Sequence, residues 1–337
     1  MGPGTSIALA SLSIALCGWS IGRARRRTHP VSGGPDDTRR VPYEQPYELY
    51  SNSFSHCSRK VRLALAELGI DYAHRQIDLI ETGWYQTISP AYLKVNPAGL
   101  VPTLVHEGRP VYESDDILRY AHAVAPEGAP SLVPSEPDRR AQMERWISFC
   151  SISSVDGFAG MERSAGPCIP GLTFPMFAAA IHYVPLRNIL PGFLYHPDKR
   201  RPALFLLCKL LGLDRVIRLR PIQERVRSSA MSMARHLRRL DRALIQSGGP
   251  WILGDDYTLA DTTISCLLLR LDETGWLEQF YAAHGLAALR EYYARLRARP
   301  SWTQAITTMS HPVVEAASAD LAAARTRRDR RRSIYGS

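Results

Sequence analysis

Val61, Ala64, Leu65 and Leu68 fall at i, i+3, i+4 and i+7, one face of a helix that begins near Ser58. Arg59, Lys60, Arg62 and Glu67 take the opposite face, and Gly69 suits the left-handed position that closes such a helix. A short strand, Tyr47–Ser51, precedes it and a second, Tyr72–Asp78, follows, which completes a βαβ unit. Downstream, Asn96–Val105 leads through a Gly108-Arg109 turn to a short strand at Pro110–Tyr112. Glu113-Ser114-Asp115-Asp116 then opens a helix through Tyr120. The pattern predicts an α/β unit, βαβ followed by ββα, over residues 47–124.

Beyond four prolines between Ala125 and Pro137 the period becomes helical throughout. A helix from about Asp138 lines up Met143, Trp146, Ile147 and Cys150. A long basic helix, Glu224–Gln246, offers Met231, Ala234, Leu237 and Leu244 to a core. Thr258 and Asp261 have capping-box spacing before a helix to Leu271 that is apolar nearly all round and therefore predicted to be buried. A further helix covers about Leu286–Arg297. Residues 137–310 thus read as an all-α domain. It is interrupted at about 160–221 by an insertion in which apolar runs, prolines and Arg187, Lys199, Arg200, Arg201, Lys209, Arg215, Arg218 and Arg220 alternate. That insertion reads as a hydrophobic pocket wall with a solvated basic edge or as a membrane-surface element. Residues 311–337 read as a disordered basic tail.

Met1–Gly22 carries no charged side chain, and Arg23–Arg27 follows it. The segment reads either as a single-pass anchor that leaves the folded domain in the cytoplasm or as a plain leader. The rest of residues 1–46 is linker-like. The 337 residues suffice for about two domains. Net charge is +10, but the arginine runs at the two ends account for nine of those charges. The folded part is nearly neutral, which argues against a nucleic-acid partner. The six cysteines have neither C-x-x-C nor zinc spacing, which fits a reducing compartment and predicts no metal site.

Chemistry concentrates in the turn between the first strand and helix. Unpaired N–H groups and the helix dipole favour an anion there, and a thiolate is such an anion. Ser55, Cys57 and Ser58 are the candidates around it. Val101-Pro102 precedes a strand and predicts a cis bond, leaving the Val101 backbone free to pair with an extended peptide. Ser114 at a helix start suits a carboxylate.

Taken together, Ser-Phe-Ser-His-Cys-Ser before Arg-Lys-Val-Arg, Val-Pro-Thr-Leu, and Glu113-Ser114 resemble the soluble glutathione transferases. The match is close over Tyr47–His122 and looser to about Trp302. The resemblance implies a thioredoxin-like glutathione-binding domain at 47–124 joined to a helical domain, in a homodimer. It implies a detoxifying enzyme that conjugates or reduces hydrophobic electrophiles with glutathione as co-substrate. The turn looks most like that of zeta-class transferases and reductive dehalogenases. Ser55 then takes the position of the thiolate-activating serine, and Cys57 that of the cysteine which forms a mixed disulfide with glutathione. His56 departs from the zeta pattern, which weakens an isomerase assignment. Val101 and Pro102 would hold the cysteinyl part of glutathione, Glu113 and Ser114 its γ-glutamyl end, and Lys94 is the candidate for the glycyl carboxylate. Dehalogenase, isomerase and β-etherase activities are alternatives within this class. From a different class, the ganglioside-induced differentiation-associated proteins also share the Ser-Phe-Ser turn and a long insertion. They make a membrane-associated interaction protein on a transferase scaffold the second reading.

Overall fold

The computed structural model describes residues 35–36, 38–152, 157–196 and 198–335. Strand β1 (Tyr47–Ser51) runs into helix α1 (His56–Glu67), which returns to β2 (Ala73–Gln76). A short helix α2 (Pro90–Val95) leads to β3 (Thr103–His106), β4 (Arg109–Val111) and α3 (Ser114–Ala123). The sheet order is β2-β1-β3-β4, with β1 parallel to β2 and the other pairs antiparallel. The α/β expectation, βαβ then ββα, holds element by element. Glu107 and Gly108 connect β3 to β4, both with positive φ, as a two-residue primed hairpin loop requires.

The helical part comprises α4 (Pro137–Cys150), α5 (Ile169–Tyr183), α6 (Leu186–Ile189), α7 (Pro191–Tyr195), α8 (Arg200–Leu211) and α9 (Leu213–Val216). It continues with α10 (Arg220–Ser247), α11 (Leu259–Glu273), α12 (Trp276–His284), α13 (Ala287–Arg297), α14 (Pro300–Ala305) and α15 (Pro312–Tyr335). At the centre lies α11. Its capping box forms as predicted: the Thr258 N–H donates to Asp261 Oδ2 at 2.8 Å, and Asp261 Oδ1 also receives the Ile252 N–H and the Tyr292 hydroxyl. Met143, Trp146 and Cys150 of α4 are buried with α11 in the main core.

Four expectations fail, wholly or in part, for identifiable reasons. The polar face of α1 is not solvated: Arg59, Lys60 and Arg62 are buried, because α11, α14 and α3 pack around that helix. On α10, Met231 is exposed and Met233 takes its place inside; Met233, Leu237, Leu240 and Leu244 form the inward stripe at i, i+4, i+7 and i+11. The C-terminal tail is not formless. Val314, Ala317 and Leu321 repeat at helical spacing and seat α15 on Met176, Ala179 and Ala180 of α5. The linker, too, is partly ordered. Pro35 bridges Val111, and the Asp36 and Val41 N–H groups donate to the Pro110 and Gly108 carbonyls, covering the edge of β4.

The insertion folds as α5–α9. Its helix α5 is mostly buried against α15, α10, α8 and α11. Helix α7 approaches the α/β part at Gly192, where a Cβ would sit 2.7 Å from the Tyr85 ring. Among the described residues no helix is long and apolar enough to cross a membrane. The proposed anchor at Met1–Gly22 lies outside the described residues.

Candidate active site

The turn after β1 is fixed from inside. Asn52 is buried, and its side-chain amide donates to the Ile77 carbonyl and to Thr82 Oγ1, both at 2.9 Å, while its Oδ1 accepts the Phe54 N–H. Three buried guanidinium groups then take the carbonyls of the turn in succession. Arg62 donates to Asn52 O at 3.0 Å, Arg59 to Ser53 O at 2.7 Å, and Arg270 of α11 to Phe54 O. Arg270 also lies 4.0 Å from the centre of the Phe54 ring. Glu273 balances two of these charges: it pairs bidentately with Arg59 at 2.6 and 2.7 Å and lies 3.5 Å from Arg270. Burial draws Arg62 and Arg270 down to about 10, for Arg270 despite Glu273. Burial would raise the Glu273 carboxyl, but Arg59 and Arg270 overcome it and hold the group below its ordinary value.

From Ser51 to Leu65 only Ser55 and Cys57 keep part of their surface accessible. Ser55 caps α1, its Oγ accepting the Ser58 N–H at 3.2 Å. That bond uses a lone pair and leaves the hydroxyl proton free to donate elsewhere. Cys57, one residue into the helix, meets the Ser114 hydroxyl at the start of α3. Two helix N-termini therefore converge on one sulfur, and both favour negative charge there. Burial nevertheless pushes the Cys57 thiol above its ordinary value, against the Lys60 ammonium and the Ser114 hydrogen bond, which pull it down. Lys60 is 1% exposed; its ammonium meets Asp115, and the Ser151 hydroxyl at 3.1 Å. Burial alone would lower Lys60, but Asp115 and the Cys57 sulfur carry it above its usual value. His56 is buried beneath the turn. Burial first, then the charges of Arg270, Lys60 and Arg59, hold its imidazole neutral.

The Val101–Pro102 bond is cis, as expected. Tyr50 pairs with Thr103, so Pro102 and Val101 continue alongside the turn that follows β1. Val101 keeps part of its surface exposed, and its backbone groups make no hydrogen bond among the described residues. Glu113 is exposed and holds φ at +56°, a region costly for a residue with a Cβ, immediately before α3. Ser55, Cys57, Val101, Pro102, Glu113 and Ser114 thus gather around the end of β1 and the starts of α1 and α3. Lys94 is exposed at the end of α2. Sequence reasoning missed Asn52, Arg270 and Glu273. The available signal was an arginine and a glutamate three residues apart, at and just beyond the end of a helix read as apolar nearly all round. Beyond Phe54, Met176 and Phe177 of α5 close one side of the turn, the two rings meeting edge-on at 5.6 Å.

A four-stranded sheet of this order with helices, followed by an all-α domain capped at α11, defines a thioredoxin-like plus helical architecture. Models of the "Glutathione S-transferase, N-terminal domain" and "Glutathione S-transferase, C-terminal domain" match residues 54–124 and 223–295. The Tetrachloro-P-hydroquinone reductive dehalogenase of Sphingobium chlorophenolicum is 27% identical over 267 residues, 76% of this chain and 94% of the relative. Glutathione S-transferase 1 of Dianthus caryophyllus is 36% identical over 97 residues, 29% of this chain, and this chain spans only 42% of that relative's length. The crystal structure of Beta-etherase LigF from Sphingobium sp. strain SYK-6 superposes with a TM-score of 0.62 at 21% identity, covering 78% of this chain and 100% of that one. The chain belongs to the soluble glutathione S-transferase superfamily.

Proposed function

We propose that the protein is a glutathione-dependent enzyme that joins the glutathione thiolate to a hydrophobic electrophile. The observation that carries this reading is the convergence of the α1 and α3 N-termini beside the unpaired Val101 edge. In this reading glutathione lies extended along Val101 and pairs with its backbone, the γ-glutamyl carboxylate sits at the Ser114 N-terminus, and the Ser55 hydroxyl donates to the sulfur. Phe177, partly exposed and backed by the buried Phe54 and Met176, offers an apolar surface to the second substrate. Immobilised glutathione is expected to retain the wild-type chain and to release the Val101→Pro, Ser114→Ala double variant. Equal retention of the two overturns the reading.

A second reading within the same class is thiol-dependent reduction, favoured by the contact between Cys57 and Ser114. Here a glutathionyl adduct of the substrate is attacked by the Cys57 sulfur, giving reduced product and a Cys57–glutathione disulfide. A second glutathione then resolves that disulfide and leaves oxidised glutathione. A panel of electrophiles separates the two. If Ser55→Ala abolishes turnover and Cys57→Ala does not, the reaction is conjugation. If Cys57→Ala stalls after one adduct per enzyme, it is reduction.

A further inference from the structure

The core of the insertion faces inward, but its outer helices do the opposite. Helices α6, α7 and α8 pack on one another, and the sides they turn away from the protein are apolar. Leu186 and Leu190 on α6 and its exit, Phe193 and Leu194 on α7, and Leu207 and Leu210 on α8 are all exposed. Leu190 is 49%, Leu194 53% and Leu210 68% accessible. On α8 the exposed positions Ala203, Leu207 and Leu210 form one stripe at i, i+4 and i+7, while Phe205 and Cys208 face the core. A monomeric soluble protein rarely leaves so many large apolar side chains together in water. The loop carrying Trp84, 46% exposed, is tied to the same element by Asn188, whose amide donates to Gly83 O at 2.8 Å.

The charge around this surface is one-sided. Residues 182–220 contain eight arginines and lysines against two acidic residues, Asp198 and Asp214. Arg187 is exposed between Leu186 and Leu190, and the Arg200 side chain at the head of α8 is 92% accessible. We propose that α6–α8 form a docking surface for an anionic lipid bilayer. The leucines and Phe193 enter the interface, Trp84 sits at its edge, and Arg187 and Arg200 meet lipid phosphates. A second copy of the chain suits the surface less well, since a two-fold contact would set two positively charged rims against each other. The surface is made by residues other than those of the glutathione site, so the two proposals stand or fall separately.

The test uses the full chain with vesicles of phosphatidylcholine, alone or mixed with phosphatidylserine, read by co-sedimentation and by amide hydrogen exchange. Bound protein is expected to show protection at 186–195 and 203–210 with the mixed vesicles only, and binding should weaken as salt is raised. Arg187→Gln with Arg200→Gln should lower partitioning about 25-fold, at about fivefold per basic side chain. Leu190→Ser with Leu194→Ser should lower it by about tenfold or more and remove the protection. Three outcomes overturn the proposal. One is vesicle-bound protein with no protection at these amides, which would assign binding to another segment. Another is equal protection with neutral vesicles. The third is protection without lipid that grows with protein concentration, which would make the surface a contact between copies of the chain.

Discussion

Helix α1 and the outer helices of the insertion are built from similar letters, leucines and alanines interleaved with arginines and lysines, yet they dispose of them in opposite ways. In α1 the basic side chains are buried and the turn they hold is fixed. In α6–α8 both the leucines and the arginines face outward. The difference lies in what waits opposite each cation. Around α1 there are carbonyls of the turn at Asn52 and Ser53, the carbonyl of Ala305, and the carboxylates of Glu273 and Asp115. Each buried charge is met by a partner that offsets its lost hydration. Around α8 the frame is only partial: Arg201 pairs with the buried Glu81 at 2.5 Å and Lys209 donates to the His182 carbonyl, but the head of the helix has no such partner among the described residues. Arg200 pairs with its near neighbour Asp198 in open solvent. A basic helix is thus a structural strut or a solvated rim according to the acceptors that the rest of the fold supplies.

The sharpest way to break this contrast is Glu273→Ala. It strands Arg59 and Arg270 without their carboxylate, in a site where their side chains are 7% and 3% exposed. A loss of about 3 kcal/mol in stability is expected, read from denaturant unfolding. A loss below about 1 kcal/mol would mean that the carbonyls alone satisfy the arginines. The pH dependence has a defined sign. Because the folded Glu273 carboxyl lies below its ordinary value of 4.5, its contribution is present above that pH and fades as pH falls through the lower folded value. Wild type should therefore lose more stability than Glu273→Ala on acidification below about 4.

Next is Ser55→Ala. Under the proposed role it removes the hydrogen bond to the glutathione sulfur and lowers kcat/KM on the order of 10²-fold. It also removes a cap worth about 1 kcal/mol. Ser55→Thr keeps both functions and serves as the control. The ultraviolet absorbance of bound glutathione thiolate should fall at neutral pH in the alanine variant. If it stays unchanged, the hydroxyl is a cap and nothing more.

Leu321→Ala comes third. The side chain closes the contact of α15 with α5, and α5 in turn abuts Phe54. A cost of about 2 kcal/mol is expected. Amide exchange should rise in α15 before it rises in α11. Uniform exchange would show that α15 unfolds only with the whole domain.

Much of this was legible in the sequence, and the failures share a cause. The strands, the cis bond before Pro102 and the cap at Thr258 depend on short-range chemistry, which spacing reveals. The burial of Arg59, Lys60 and Arg62 depends on Glu273, Asp115 and Ala305, residues 55 to 243 positions away, and no local period encodes them. The same holds for α15. Its apolar positions Val314, Ala317 and Leu321 are sparse and acquire meaning only when the small residues Ala179 and Ala180 of α5 lie opposite.

The smallest expected effect completes the comparison at the other end. Arg200→Ala deletes a cation that is paired bidentately with Asp198, both bonds at 2.9 Å, much as Arg59 is paired with Glu273. Drawn as contacts, the two pairs look alike. In solvent, water screens the attraction and rehydrates Asp198 when its partner leaves, so the pair contributes little. The unfolding midpoint of Arg200→Ala should coincide with that of wild type, whereas Arg59→Ala, which takes the bidentate partner from Glu273 and leaves it only Arg270 at 3.5 Å, should fall well below both. A measurable drop for Arg200→Ala would mean that Asp198, whose carboxyl the Arg200 hydrogen bond holds below its ordinary value, anchors the start of α8 through that bond. The outer insertion would then be framed by charge after all, as α1 is.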